Sequence, residues 1–286
     1  MDRNKAYSLG LYEKAMPSEL SFAQMLACTK QCGFDRLEIS IDETDARLAR
    51  LDWDDAKKHE LERLTRELDA PIQTMCLSGH RKYPLGSSSA ETRTRSLDIM
   101  KKAVDFSAQT GVRIIQLAGY DVYYEQGTAS TRAYFLENLH RCVEFAAKAG
   151  VILAFETMET PFMDTVAKAM HYVDSVRSPW LGVYPDIGNL QNAAVLYGTD
   201  VVEDLQTGSG HIFSIHLKET KPGVYRNMAF GTGHTDYAAC LSFAAAQGVR
   251  MFTGEFWHAP GEDHEAVISR SAAFLRQRLD EAFSAV

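Results

Sequence analysis

A short arrangement of hydrophobic and polar positions recurs along the chain: an amphipathic segment, then a glycine, then an apolar run. It appears in CTKQCGFDRLEIS, SAQTGVRIIQLAGYD, AAKAGVILAFET and AAAQGVRMFTGEFW. Each glycine stands where a helix would end in a left-handed residue, a conformation that glycine adopts without steric cost. The pattern therefore predicts helix ends at Gly33, Gly111, Gly150 and Gly248.

The apolar runs that follow these glycines are short and carry Val, Ile, Leu and Phe on both faces. Such runs are typical of strands in a parallel sheet that is covered by helices on both sides. Four further runs, YSLGLYE, PIQTMCLS, WLGVYPDIG and IFSIHLKE, fit the same description. The sequence thus predicts eight strands, centred near Leu9, Leu37, Thr74, Ile115, Ala154, Val183, Ser214 and Thr253.

The segments between the strands have the periodicity of amphipathic helices. In STRAYFLENLHRCVEFAAKAG, one face carries Phe135, Leu139, Cys142 and Ala146, and Ser130 or Thr131 is expected to be the N-cap. Strand and helix together repeat every 30–40 residues or so, the size of one βα unit. Eight such units use the whole chain and leave no linker.

We therefore predict an α/β fold in which residues 1–286 form a single (β/α)8 TIM barrel. The main alternative is a doubly wound open sheet, which usually has a glycine-rich phosphate turn after its first strand. This chain has EKAMPSELS at that place.

Composition and charge narrow the class of function. The chain is 45% hydrophobic and 24% charged, as in a soluble globular protein, and its formal net charge of −8 argues against binding nucleic acid or anionic lipid. With no apolar signal core and no membrane-length apolar run, we expect a cytoplasmic protein. The five cysteines include no C-x-x-C pair and predict reduced thiols. Cys28 and Cys32 share a helix face and are interpreted as small core residues.

Potential metal ligands end four consecutive predicted strands: Glu156 in ILAFET, Asp186 in VYPDIG, His216 in FSIHLKE and Glu255 in FTGEFW. Any one alone would be interpreted as a helix cap, a rim charge or a core histidine. Together at the mouth of a barrel, three carboxylates would repel one another unless a cation lay between them. We therefore expect one divalent metal ion, for which Zn, Mn and Co suit the ligand set and Mg is admissible. Gly188 is expected to let the chain turn tightly away from Asp186.

The segment HLKETKPGVYRNMAFGTGHTDY, after the seventh strand, combines basic residues with glycines. Lys218, Lys221 and Arg226 surround a turn, and Gly231 and Gly233 precede the next helix. Basic side chains and exposed glycine N–H groups suit an anion, and barrels often bind phosphate near strands 7 and 8. The alternative interpretation is an ordinary loop with solvated lysines.

Aromatic and polar residues follow other strands and are expected to line a pocket of polyol size, although Trp257 also suits core packing. They are Tyr12, His80 with Arg81, Tyr120 with Asp121, and Trp257 with His258.

Several stretches resemble the L-ribulose-5-phosphate 3-epimerase family, also called L-xylulose-5-phosphate 3-epimerases, of the xylose-isomerase-like TIM barrels. They are LGLYEKAMP, DETDARLARLDW, MCLSGHRKYPLGS, IQLAGYDVYY, YPDIGNL and HLKETKPG, and the resemblance covers essentially the whole chain. The wider superfamily's pattern of Glu, Asp, His and Glu matches the four predicted ligands. Two departures, Thr232 in place of an acidic residue and Glu219 in place of Asp, lie in the proposed phosphate loop and bear on the identity of the substrate.

The resemblance implies an enzyme, commonly a homodimer, that interconverts L-ribulose 5-phosphate and L-xylulose 5-phosphate during L-ascorbate degradation. Epimerisation at C3 passes through a cis-enediolate, which a metal stabilises as a Lewis acid. We assign Glu156 and Glu255 as ligands that also transfer protons, and Asp186 and His216 as ligands only. The substrate and its phosphate are expected to contact Lys218, Lys221, His80, Tyr12 and Trp257.

Three other functions remain open from the sequence. An aldose–ketose or hydroxypyruvate-type sugar isomerase would use the same metal site but move the proton between C1 and C2. A metal-dependent nuclease would need more histidine ligands and a basic rim. A non-catalytic sugar-binding barrel would need no acid–base pair at the metal.

Overall fold

The computed structural model describes residues 6–284, and a sheet of eight parallel strands lies at its centre. Residues 1–5 and 285–286 of the predicted domain lie outside the described part. The strands are β1 (Ser8–Tyr12), β2 (Arg36–Ile41), β3 (Ile72–Leu77), β4 (Ile114–Ala118), β5 (Ile152–Glu156), β6 (Leu181–Tyr184), β7 (Ile215–Leu217) and β8 (Met251–Gly254). Neighbours pair in chain order, and β8 returns to pair with β1. The predicted TIM barrel is thereby confirmed.

The barrel closes between β6 and β7, where isolated bridges take the place of a full ladder. One of these bridges pairs Asp186 with His216. Gly182 permits the close approach at this seam, because a Cβ atom there would lie 2.5 Å from the carbonyl oxygen of His211. Two of the predicted metal ligands are therefore neighbours through their backbones.

Helices surround the sheet and connect successive strands. They are α1 (Phe22–Gln31), α2 (Asp45–Leu48), α3 (Asp55–Glu67), α4 (Ala90–Thr110), α5 (Ala129–Ala149), α6 (Val166–Val176), α7 (Ile187–Tyr197), α8 (Val201–Gln206), α9 (Tyr237–Ala246) and α10 (His264–Phe283). Short 3-10 turns lie at Glu13–Ala15, Ala49–Asp52 and Ser78–Arg81. None of the helices in the described part of the chain has the length and apolar character needed to cross a membrane.

The four glycines predicted to end helices all have positive φ angles. The values are 93° at Gly33, 91° at Gly111, 67° at Gly150 and 79° at Gly248. A side chain at these positions would be strained, so the glycines fix where each helix stops and the following strand begins.

Helix α5 confirms its predicted buried face, because Phe135, Leu139 and Cys142 all point into the core. Its predicted N-cap is wrong. The cap is Thr128, whose Oγ1 accepts from the N–H of Thr131, while the Thr131 Oγ1 accepts from the N–H of Thr128. This reciprocal pair satisfies two N–H groups at once, which a cap at Ser130 or Thr131 would not do.

Candidate active site

The four predicted ligands lie together at the carboxyl ends of their strands. Glu156 is the last residue of β5, Asp186 is the N-cap of α7, His216 lies within β7 and Glu255 follows β8. All four are buried, and one ligand atom of each lies within 4.8 Å of those of the others. The convergence predicted from the strand order is therefore present.

Asp186 uses its two carboxylate oxygens differently. Oδ1 accepts a hydrogen bond of 2.8 Å from the N–H of Asn189 and so caps α7, while Oδ2 points into the cluster. The expected turn at Gly188 is wrong, since this residue is the second of α7. It is a glycine because a Cβ atom there would lie 2.7 Å from the carbonyl oxygen of Lys218.

The side chain of Lys218 points into the cluster. It does not extend into the loop that follows β7. Its Nζ is 3.0 Å from Asp186 Oδ2 and 3.0 Å from Glu255 Oε2. Burial alone would lower the pKa of Lys218, but the carboxylates of Asp186 and Glu255 raise it above its usual range. Lys218 is thus a permanent positive charge that partly neutralises the ligand carboxylates.

The pKa values of the two glutamates in the cluster are shifted in opposite directions. Burial and the nearby Glu255 raise the pKa of Glu156. Burial would also raise the pKa of Glu255, but Lys218 and His216 lower it to about 2. Burial raises the pKa of Asp186 to about 7 against the attraction of Lys218. The pKa of Glu156 is therefore raised and that of Glu255 lowered, and such a separation of two neighbouring carboxyl groups is typical of an acid–base pair.

Beneath the ligands, a chain of buried hydrogen bonds fills the barrel. His216 Nε2 lies 2.6 Å from Glu38 Oε1, and Glu38 Oε2 accepts from the Tyr184 hydroxyl at 2.8 Å. The Tyr184 hydroxyl also lies 2.7 Å from Thr253 Oγ1, which accepts from Arg36 at 3.0 Å. Burial would raise the pKa of Glu38, but His216 and then Arg36 lower it, so Glu38 stays ionised.

The Glu38 contact decides which nitrogen of His216 can bind a metal. Nε2 donates to Glu38, which leaves Nδ1 facing the cluster, 3.3 Å from Glu156 Oε1 and 3.7 Å from Glu255 Oε2. Metal-ligating histidines commonly donate their second nitrogen to a carboxylate in this way. Sequence reasoning missed Glu38 and Arg36. The available signal was the alternation of polar residues in RLEIS, which turns both side chains into the barrel.

The residues of this cluster fit a divalent metal ion. Asp186 Oδ2 and Glu255 Oε2 are buried, and each lies 3.0 Å from the ammonium of Lys218, so both oxygens already face a positive charge. Three carboxylates and one oriented imidazole nitrogen match the donor sets of Zn²⁺, Mn²⁺ and Co²⁺ sites, and the geometry does not choose among these ions.

Comparison with known proteins places the chain in a family. A family model described as xylose isomerase-like TIM barrel matches residues 26–278. L-ribulose-5-phosphate 3-epimerase UlaE from Salmonella paratyphi A is 41% identical over 280 residues, which are 98% of this chain and 97% of that protein. UlaE from Salmonella choleraesuis (strain SC-B67) is 40% identical over the same shares. This chain belongs to the L-ribulose-5-phosphate 3-epimerase family. The predicted enzyme class, a carbohydrate epimerase, is thereby confirmed.

Solved structures of low sequence identity share the fold of this epimerase. An L-ribulose 3-epimerase superposes with a TM-score of 0.77 at 18% identity, covering 98% of this chain and 96% of that one. The IOLI protein with a bound zinc atom gives 0.76 at 15% identity, covering 97% and 98%. These likenesses extend over nearly the whole barrel.

A cavity of the epimerase opens above the cluster of Glu156, Asp186, His216 and Glu255. Three residues predicted to contact substrate line it: Tyr12, Lys218 and Trp257. The rings of Tyr12 and Trp257 lie 6.1 Å apart in an edge-on arrangement. Three basic side chains also face it: Lys14, Arg81 and Arg226. The guanidinium of Arg226 lies 5.0 Å above the Trp257 ring.

Two other residues predicted to contact substrate lie elsewhere. His80 is buried against α4, where its Nε2 lies 3.1 Å from the carbonyl oxygen of Ser96, and burial lowers its pKa to about 4. Lys221 is exposed in a turn that its backbone closes with Val224, and it does not line the cavity above the cluster. The sequence could not reveal either orientation, because His80 lies in a short 3-10 turn and Lys221 in a loop turn, and neither is long enough to show a hydrophobic periodicity.

The predicted anion cradle after β7 is occupied by the protein itself. The Glu219 carboxylate accepts hydrogen bonds from the N–H groups of Gly231 at 2.6 Å, Thr235 at 3.2 Å and Thr220 at 3.2 Å. A Cβ atom at Gly233 would lie 2.0 Å from the Thr220 carbonyl oxygen. The expectation of a cradle at these glycines is therefore wrong, and Glu219 organises the loop from within.

Proposed function

We propose that this protein is a metal-dependent 3-epimerase that interconverts L-ribulose 5-phosphate and L-xylulose 5-phosphate. The observation that carries the proposal is the buried cluster of Glu156, Asp186, His216 and Glu255, with ligand atoms within 4.8 Å of one another. The names of the relatives support the substrate, since they align over nearly the full length of both chains.

Proton transfer at C3 is assigned to Glu156 and Glu255. When bound by the cluster, a divalent ion supplies electrostatic stabilisation of negative charge on the oxygens beside the reacting carbon. Glu156 ends β5 and Glu255 follows β8, and their carboxylates lie 3.3 and 3.7 Å from His216 Nδ1. We assign the two glutamates to opposite faces of a sugar bound in the mouth. One removes the C3 proton and the other delivers a proton to the opposite face, and the roles exchange with the direction of reaction.

We assign binding of the substrate's phosphate to the basic residues that line the cavity at the barrel mouth. Arg226 stands over Trp257, and the buried Nε of Arg81 makes no hydrogen bond with any described residue. Lys14 faces the same cavity, although its ammonium also pairs with Asp42 at 2.7 Å. Guanidinium groups suit phosphate because their N–H groups match its oxygens in pairs.

The test follows L-ribulose 5-phosphate in D₂O by NMR, with Mn²⁺ or Zn²⁺ added and then chelated. Deuterium should enter at C3, L-xylulose 5-phosphate should appear, and both should stop on chelation. Glu156→Gln and Glu255→Gln should abolish the exchange while retaining metal. Deuterium at C1 or C2 would instead identify an aldose–ketose isomerase, and near wild-type exchange in both variants would overturn the proton-transfer roles.

The phosphate assignment has its own test. Arg81→Met and Arg226→Met should raise KM for the sugar phosphate while leaving KM for L-ribulose unchanged. Lys221→Met, an exposed lysine outside that cavity, is the matched control. Equal effects of the arginine variants on both sugars would contradict the assignment.

We further propose a cytoplasmic homodimer that acts in L-ascorbate degradation and binds neither nucleic acid nor membrane. Exposed apolar side chains at Val195, Leu196, Tyr197 and Val224 suit a contact between two copies. Light scattering coupled to size exclusion should give twice the chain mass of 31.9 kDa. A mass of one chain at micromolar concentration would reject the dimer.

A further inference from the structure

A second cluster of metal-ligating side chains lies in the helical layer, where α1 meets the start of α10. Cys28 Sγ, a ring nitrogen of His264 and a carboxylate oxygen of Glu265 lie within 4.8 Å of one another. Cys32 Sγ is 3.8 Å from Cys28 Sγ and 3.6 Å from the carbonyl oxygen of Glu265. The two cysteines lie one helical turn apart and both are buried.

We propose that Cys28, Cys32, His264 and Glu265 bind a thiophilic divalent ion such as Zn²⁺. In a tetrahedral zinc site with Zn–S bonds of about 2.3 Å, two sulfurs stand about 3.8 Å apart. The observed separation of 3.8 Å equals that edge. It is far longer than a disulfide bond of about 2.05 Å, so both cysteines are free thiols at a spacing that two ligands of one ion can share.

The donor chemistry separates this site from the one at the barrel mouth. Two sulfurs, one nitrogen and one oxygen favour zinc, cadmium or cobalt, whereas three oxygens and one nitrogen at the mouth also accept manganese. His264 is partly exposed and Glu265 is exposed, while the thiols lie inside. An ion would therefore reach the site from solvent through the His264 and Glu265 side.

The position of the site gives a structural consequence. Helix α1 follows the first strand of the barrel, and α10 follows the last. An ion held by both helices would join chain segments near residues 28 and 264, which are remote in sequence. Such a link acts on the folded state alone and raises its stability by mass action.

The experiment titrates reduced, full-length protein with Co²⁺, whose thiolate complexes give a near-ultraviolet charge-transfer band. We expect two Co²⁺ per chain and a thiolate band. Cys28→Ala with Cys32→Ala should remove the band and one equivalent. Cys240→Ala, a buried cysteine in α9, is the matched control and should retain both.

Further variants keep the proposal testable if the double cysteine variant fails to fold. His264→Gln with Glu265→Gln leaves the buried thiols in place and should weaken the Co²⁺ affinity that the band reports by about tenfold or more. Glu255→Gln, which alters only the mouth, should leave the band unchanged. Absence of the band in the wild-type protein, its survival without Cys28 and Cys32, or a Cys28–Cys32 disulfide in reducing buffer would overturn the proposal.

Discussion

Lys218 balances the negative charge of the proposed metal site. Its ammonium lies 3.0 Å from both Asp186 and Glu255, in a site that also holds Glu156. Removal of one member of a buried ion pair costs several kcal/mol, because the remaining charge has neither water nor a partner. This one residue therefore links the stability of the metal-free protein to the affinity of the site for a cation.

Replacement of Lys218 by Met should lower the unfolding free energy of the chelator-treated protein by about 3–5 kcal/mol. Added Zn²⁺ or Mn²⁺ should raise the melting temperature more in this variant than in the wild type, because the ion replaces the lost positive charge. Thermal unfolding with and without metal measures both effects, and Lys221→Met is the exposed control. A metal-free Lys218→Met protein as stable as the wild type would show that Lys218 does not balance the site.

His80 makes stability depend on pH. Its pKa is about 4 in the folded protein, against 6.5 for an unperturbed histidine. The unfolded chain therefore binds a proton that the folded protein rejects between pH 6.5 and pH 4. Above pH 6.5 His80 makes its full contribution to the free energy of unfolding. This contribution falls by about 3 kcal/mol on acidification to pH 4.

The variant His80→Gln should flatten the decline in unfolding free energy between pH 6.5 and pH 4, measured by urea unfolding at each pH. His59→Gln, at an exposed position of α3, should retain the wild-type slope. An unchanged slope in His80→Gln would mean that the buried imidazole is not the source of the pH dependence.

The loop between β7 and α9 is an element whose shape depends on one internal carboxylate. Glu219 accepts hydrogen bonds from the N–H groups of Gly231, Thr235 and Thr220. The same loop carries Arg226 to the mouth. The order of the loop and the position of this basic residue are therefore coupled.

In a Glu219→Ala protein, buried N–H groups would lose their acceptor at a cost of about 1–3 kcal/mol each. The amides of Gly231 and Thr235 should then exchange faster with deuterium, and KM for the sugar phosphate should rise. Thr232→Ala removes only a hydrogen bond to the Ala229 carbonyl oxygen and serves as the control. Unaltered amide exchange after loss of Glu219 would contradict this account of the loop.

For the molecule as a whole, the proposed metal site lies across the weakest closure of the barrel. Its ligands come from β5, from the residues after β6 and β8, and from β7, and only isolated bridges join β6 to β7. A bound ion would therefore tie the two sides of this seam together. Metal binding and barrel closure should be coupled.

At a free metal concentration of about 100 times Kd, binding should stabilise the fold by about 2.7 kcal/mol. This corresponds to a rise in melting temperature of about 4–5 °C for a chain of this size. Calorimetry with and without chelator measures the rise, and hydrogen exchange at Val183 and His216 reports on the seam. Asp186→Asn with His216→Gln should largely remove the rise, and a full rise in that variant would place the stabilising ion elsewhere.

Local pattern alone determined the framework of this protein. Glycines with positive φ, such as Gly33 and Gly150, set the helix ends, and strands apolar on both faces set the parallel barrel. Because the carboxyl ends of such strands share one mouth, the meeting of Glu156, Asp186, His216 and Glu255 followed from the order of strands.

Only the tertiary structure decided the contacts between side chains from distant units. The pairing of Glu38 with His216, the position of Lys218 between two carboxylates, and the meeting of Cys28 with His264 belong to this class. The physical reason is that strand and helix periodicity specify the face from which a side chain leaves the backbone. What it then meets depends on the closure of the barrel and on the rotamer it adopts there.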